Sequence, residues 1–359
     1  MKRFSFLILI LLLFLSACMP TTTTPIIPTP VSPVEKTPMS TPTEKPAPTE
    51  AAPVSIALHR GVNMGNMLEA PNEGEWGLHV KEEYFDVISQ AGFDFVRLPV
   101  QWNSHADGNA PYTVDSTFFA RIDEVLGWAL KRNLTIILDF HNYDELMSNP
   151  WGNKERYLAI WKQIAEHYKD YPSTVFFELL NEPYDQINAA MWNEYLAAGL
   201  KTVRESNPTR DVVIGPGNWN SYDWVSTLDV PADEHLIVTF HYYLPFEFTH
   251  QGAEWIGDES KAWLGTTWDA TDEQKAEITS NFDSVAEWAK RNNVRILMGE
   301  FGAYSKAPQD SRVRWTSFVA REAERHGFAW SYWEFASGFG VYDPEANVWR
   351  DDLLKALIP

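Results

Sequence analysis

The fold class the sequence predicts is α/β, a closed (β/α)8 barrel of eight parallel strands over residues 56–359, and three observations predict it. Short apolar runs recur along the chain, helical patterns lie between them, and chemically capable polar residues close one run after another. A chain of 359 residues has room for two ordinary domains, yet a barrel of this kind takes about 250 residues or more as one unit.

The elements follow in order. The first run is "RGVNMGN" near residue 60, and the second is "FDFVRLPV" from 93. The stretch "VDSTFFARIDEVLGWALKRNLTIILDFHNY" then shows the repeating unit whole. Asp115 or Ser116 caps a helix, Ile122, Val125, Leu126, Ala129 and Leu130 form its apolar stripe, Asn133 breaks it, and "LTIILDF" is the buried third strand. "TVFFELL" from 174, "DVVIGPG" from 211 and "HLIVTFHYY" from 235 are the next three strands. "SNFDSVAEWAKRNNVRILMGEFG" repeats the unit, with Phe282, Val285, Ala286 and Ala289 on one helix face, a turn at Asn293, and the seventh strand "VRILMGEF". "FAWSYWEF" from 328 is the eighth. In such a barrel every strand's C-terminal end points to one mouth, where function is housed.

Upstream of the barrel lie two segments of different character. "MKRFSFLILILLLFLSACMP" has two cations, Lys2 and Arg3, an apolar run too short to span a bilayer comfortably, and small residues before Cys18. It is an export signal over residues 1–18, and "LSAC" resembles a bacterial lipobox, which implies a lipid-modified Cys18. The alternative is an ordinary secretory signal with Cys18 incidental. Residues 19–55 are Thr- and Pro-rich, a disordered spacer able to hold a domain on the order of 100 Å from its anchor. The expected location is extracellular, on the bacterial cell surface, with the membrane touched through the lipid anchor alone and the protein a monomer. The chain has a single cysteine, so no disulfide supports the fold.

Composition narrows the function classes. A net charge of -20 and a pI near 4.8 oppose binding to phosphate backbones, which excludes nucleic acid as a partner. The histidines are scattered and lack the helical zinc spacing, and neither an oxygen-rich calcium loop nor a glycine-rich phosphate cradle appears. No metal and no cofactor are expected. Aromatic residues make up 14 %, with 16 Trp. Most should be core, and some can serve as platforms for flat ligands such as sugars.

The residues closing successive runs are Asn66 and Glu69; Arg97; His141 and Asn142; Asn181 and Glu182; Asn218 and Trp219; His241 and Tyr243; Glu300; and Trp333 and Glu334. Turn formers are the usual occupants of such positions. The set instead holds two well-separated carboxylates, Glu182 in "NEP" and Glu300 in "GEFG".

With "RLPV", "DFHNY", "NEP", "HYY", "GEFG" and "SYWEF" in this order, residues 56–359 resemble glycoside hydrolase family 5, a family of retaining (β/α)8 glycosidases. The resemblance implies Glu182 as general acid/base and Glu300 as nucleophile. It further implies Arg97, His141, Asn181, His241, Tyr243 and Trp333 as supporting active-site residues, Trp333 lying beneath the sugar at the cleavage subsite. Asn142 stands where some members carry a second histidine. Asn66, Glu69, Trp76, Asn142 and Trp219 are candidates for substrate binding, and plain packing is the alternative for Trp76 and Trp219. The stretch "HYYLPFEFTHQGAEW" looks like the loop after strand six in members acting on β-1,4-glucans. The implied activity is a retaining endo-β-1,4-glucanase acting on a β-1,4-linked polysaccharide. Mannanase, mixed-linkage or xyloglucan-active glucanase remain alternatives on the same fold, and a non-catalytic carbohydrate-binding surface lipoprotein is the alternative from another class. A raised pKa is expected for Glu182, from its proximity to an ionised Glu300.

Overall fold

The computed structural model describes residues 57–359. The export signal, the spacer and Cys18 lie outside the described residues. Eight strands, β1 (Arg60–Asn63), β2 (Phe95–Val100), β3 (Thr135–Phe140), β4 (Val175–Glu178), β5 (Val212–Ile214), β6 (Leu236–Tyr242), β7 (Arg295–Phe301) and β8 (Ala329–Tyr332), close into a barrel. Each pairs in parallel with its sequence neighbours, and β8 returns to β1. All eight expected runs are therefore strands.

The long helices pack outside. The helix Ser116–Leu130 is capped by Asp115, whose carboxylate accepts from the Thr117 N–H, and Asn133 leaves it at φ 57°. The helix before β7 runs Asp272–Asn292, two turns longer at its start than the apolar stripe suggested, because Thr271 and Gln274 close a capping box ahead of that stripe. Its end is the left-handed Asn293. Between β5 and β6 the regular helix is replaced by a short 3-10 turn, Tyr222–Thr227. Trp102, Trp161, Trp192, Trp268, Trp315 and Trp330 are all buried, filling the core as their size favours. Trp161 and Trp192 also donate their indole N–H to the carbonyls of Leu179 and Gly215, pinning helices to the ends of β4 and β5.

Inside the barrel the side chains change character along the axis. Phe95, Ile137, Phe176, Val213, Ile237, Leu297 and Ala329 form one apolar layer. Side chains alternate faces with a period of two, so the next inward positions are Arg97, Asp139, Glu178, Thr239 and Ser331, joined by Asn63, and every one of these is fully buried. A polar layer thus lies directly beneath the mouth. At β7 the alternation is adjusted by a bulge: Phe240 pairs Met298, but His241 pairs Glu300. Gly299 is the extra residue, and a Cβ there would sit 2.4 Å from the Thr239 hydroxyl. The bulge turns Glu300 inward beside His241, where strict alternation would have turned it out.

Candidate active site

Arg97 organises the site from below. Its guanidinium is fully buried, and its five N–H groups reach five acceptors: Nε and Nη2 hold the two Glu178 oxygens at 2.7 and 2.9 Å, Nη1 reaches Asn63 Oδ1 at 3.0 Å and Glu300 Oε1 at 2.8 Å, and Nη2 reaches Asn181 Oδ1 at 2.8 Å. Burial alone would lower the Arg97 pKa, but Asp139, Glu178 and Glu300 raise it well above the ordinary value. It is a permanent cation, fixed by a planar fork that lysine lacks.

Glu300 is 5 % exposed. Its second oxygen accepts from the Tyr243 hydroxyl at 2.8 Å, so Arg97 and Tyr243 hold one oxygen each. Burial and the adjacent Glu300 push the Tyr243 hydroxyl pKa well up, keeping it a donor. Glu182 follows β4 in the left-handed conformation, φ 45°. A bulky side chain adopts that backbone seldom and at some cost, and such residues concentrate at functional sites. Its carboxyl is about a quarter exposed, open toward the cavity, and Oε1 lies 2.6 Å from Nδ1 of His241. The same nitrogen is 3.6 Å from Glu300 Oε2. One oxygen of Glu182, one of Glu300 and a ring nitrogen of His241 lie within 4.8 Å of one another.

The Glu182 pKa is raised to about 7, chiefly by burial, with Arg97 opposing and Glu178 adding to the rise. The expected direction is right, but the expected cause is not: the dominant effect is desolvation, and the neighbouring anion is Glu178. Burial likewise holds the His241 pKa down to about 4, so the ring is neutral near pH 7.

A cavity of about 900 Å³ opens above these groups. Asn66, His141, Glu182, Trp219, His241, Tyr243, Glu300 and Trp333 all line it, while Arg97 and Asn181 support it from beneath. Trp333 and His141 lie parallel, 5.5 Å apart. Trp219 stands 53 % exposed on the cavity wall and stacks on Tyr184 at 5.5 Å, so it is not core packing.

Three candidates fall elsewhere. Glu69 is only 1 % exposed, and its carboxylate accepts the backbone N–H of Asn66 and, at 2.9 Å, that of Met67. It clamps the loop after β1 and is not on the cavity wall, its oxygens being turned onto that loop. Asn142 donates to the Glu69 carbonyl at 3.0 Å and is not on the cavity wall. Trp76 is 46 % exposed but lies off that wall as well.

Other residues went unread in the sequence. Phe246, His250, Trp255, Tyr304 and Phe339 build an aromatic part of the cavity wall. Asn63, Asp139 and Glu178 form the polar layer. A period-two count back from His141 would have found Asp139, and Glu178 is a charged residue interrupting an apolar strand in the inward phase.

Comparison with known proteins gives consistent results. Residues 57–338 match the model of the family described as cellulase (glycosyl hydrolase family 5). Endoglucanase H of Acetivibrio thermocellus is 37 % identical over 322 residues, covering 88 % of this chain; the chain spans about a third, 34 %, of that protein's length. The endoglucanase Cel5A of the hyperthermophile Thermotoga maritima superposes with a TM-score of 0.82 at 49 % identity, covering 84 % of this chain and 97 % of that one, and it has been crystallised with mannotriose and with cellobiose. The cellulose synthase subunit Z of Clostridioides difficile superposes with a TM-score of 0.82 at 39 % identity, covering 84 % and 100 %.

Proposed function

This chain belongs to glycosyl hydrolase family 5, the cellulase family, and we propose from that premise that it is a retaining endo-β-1,4-glucanase working by double displacement. The observation that carries this reading is the approach of one Glu182 oxygen to one Glu300 oxygen within 4.8 Å. Retaining glycosidases need their two carboxyl groups about 5–5.5 Å apart, and inverting ones need roughly 6.5–9.5 Å to admit a water between them.

In the first step Glu300 attacks the anomeric carbon as the bond to the glycosidic oxygen breaks, and Glu182 gives its proton to that departing oxygen. The products are a shortened chain with a free hydroxyl and a glycosyl ester on Glu300. In the second step the Glu182 carboxylate takes a proton from water, whose oxygen attacks the same carbon from the face the leaving group vacated. Glu300 departs as carboxylate, Glu182 is protonated again, and the configuration is retained. A carboxyl with a pKa near 7 suits both halves, since it must give and take a proton at similar cost. Arg97 and Tyr243 stabilise the departing Glu300 carboxylate, one donor to each oxygen. Trp333 and His141 form the platform for the sugar at the cleavage point, and Trp219 and Trp255 add exposed aromatic surface to the cavity wall. The reaction we propose calls on no cofactor, and the substrate is a β-1,4-linked polysaccharide.

A second substrate class has a specific observation in its favour. The Thermotoga maritima relative has been crystallised with mannotriose as well as cellobiose, so β-1,4-mannan is the alternative polymer for the same site. We further place the protein on the outer face of a bacterial cell, tethered by lipid at Cys18 and held off by the Thr/Pro-rich spacer; incorporation of a labelled fatty acid that is lost in Cys18→Ala tests this. Release of reducing ends from carboxymethyl cellulose, barley glucan, xyloglucan and mannan tests the activity. Fastest initial rates on the glucans are expected. Tight binding of oligosaccharide without any release would instead identify a non-catalytic binding protein.

A further inference from the structure

Asp139 lies on β3 in the polar layer, two residues before His141, opposite Pro99 of β2 and Glu178 of β4. It is fully buried. Its Oδ2 is 2.5 Å from Nδ1 of His141 and 3.0 Å from Nη2 of Arg97. The five N–H groups of Arg97, however, are directed at Glu178, Glu178 again, Asn63, Glu300 and Asn181. None is left to donate to Asp139, and among the described residues its Oδ1 has no hydrogen-bond partner.

That count separates two arrangements. An ionised Asp139 would be a buried anion with one donor, the His141 N–H, and one bare oxygen, next to Glu178 and within electrostatic reach of Glu182 and Glu69. Arg97, the cation beside it, is already shared by Glu178 and Glu300. Buried carboxylates ordinarily require several donors. A neutral acid needs only an acceptor for its O–H, and His141 Nδ1 is in position to be it. We infer that Asp139 is a neutral carboxylic acid in the resting protein, its O–H donating to His141 Nδ1, so that His141 presents Nε2–H to the cavity as a fixed hydrogen-bond donor for a sugar hydroxyl. Burial, with Arg97 opposing and Glu182 reinforcing, carries the Asp139 pKa to about 7, and burial holds that of His141 down to about 3, which agrees with a neutral pair. Asp139 is then a positioning residue: it touches no substrate but sets which nitrogen of the His141 ring donates. The stacked Trp333 fixes the ring plane, leaving the tautomer as the variable that Asp139 controls.

The inference rests on the family 5 reading for its sugar ligand, but its first test does not. Nitrogen-15 NMR of histidine-labelled protein at pH 6, with the His141 signals assigned by their loss in His141→Gln, reads the tautomer directly. The Nε2–H form is expected; an Nδ1–H form, or a doubly protonated ring, overturns the inference whether or not the protein hydrolyses glucan. The second test uses activity. Asp139→Asn places an amide N–H where the acid O–H stood and should keep kcat/KM on cello-oligosaccharides within about threefold of wild type. Asp139→Ala should lose at least tenfold while its far-UV spectrum stays unchanged. An Asn variant as impaired as the Ala variant, with the Nδ1–H tautomer in either, is the contrary result. Should wild type itself release no reducing ends, the proposed activity fails and the tautomer measurement stands alone.

Discussion

Raising the pH through neutrality should switch the protein off by removing one proton from Glu182. Its carboxyl is held up to about 7 chiefly by burial, so the acid form is about 90 % populated at pH 6 and about 10 % at pH 8. Only the protonated form can donate to a poor leaving group. The quantity kcat/KM on a cello-oligosaccharide, which reports the free enzyme, should therefore fall about tenfold between those pH values, approaching tenfold per unit beyond them. Glu182→Gln keeps the shape and removes the titration. Its kcat/KM on the natural glycosidic bond should drop by about 10²–10⁴. On an aryl glycoside whose phenol leaves unprotonated, glycosylation should recover and lose its basic limb. The assay is initial rate against pH from 5 to 9 for both proteins and both substrates. A Glu182→Gln enzyme that keeps the wild-type basic limb would refute the assignment, because some other group would then be titrating.

Four further outcomes are expected. Arg97→Met strips the cation from buried Glu178 and Glu300, and leaving such charges unpaired should cost about 3–5 kcal/mol of stability, read by urea denaturation. Trp219→Ala removes an exposed ring of the cavity wall stacked on Tyr184; KM for long oligosaccharides should rise about three- to tenfold, with kcat nearly unchanged. Glu69, Asp139, Glu182 and Glu334 are raised to about 7, 7, 7 and 8, burial being the first cause in each. Each has a folded pKa above its unfolded one, so its stabilisation is complete below pH 4 and lost as pH rises through 7 to 8, at up to about 1.4 kcal/mol per group per pH unit; Tm should accordingly decline from pH 5 to pH 8. Dialysis against EDTA should leave the rate on glucan within experimental scatter, since none of the proposed steps draws on a metal ion.

The barrel was legible because its signals are local. Each strand is a short apolar run, and Asn133 and Asn293 adopt the left-handed geometry expected of helix ends. The residues at the mouth were legible because charge at the end of an apolar run is conspicuous, as with Glu182 and Glu300. What could not be read are relations across strands. The bulge at Gly299 that turns Glu300 inward depends on how β6 and β7 pair. Glu69 looks like any loop acid in sequence, and only the fold of its own loop turns its oxygens onto the amides of Asn66 and Met67. The wall of Phe246, His250 and Trp255 belongs to a loop whose course no periodicity dictates. Desolvation, the leading influence on Glu182, is a property of the folded surroundings and leaves no mark in the residue order.

The most direct measurement of the double-displacement account is to trap its covalent intermediate. A 2-deoxy-2-fluoro cellobioside with an activated leaving group should glycosylate the protein stoichiometrically, because the fluorine slows the second step more than the activated first one. Peptide mass mapping should then find the sugar as an ester on Glu300. A sugar found on any other side chain, or turnover with inversion and no adduct, would contradict the account.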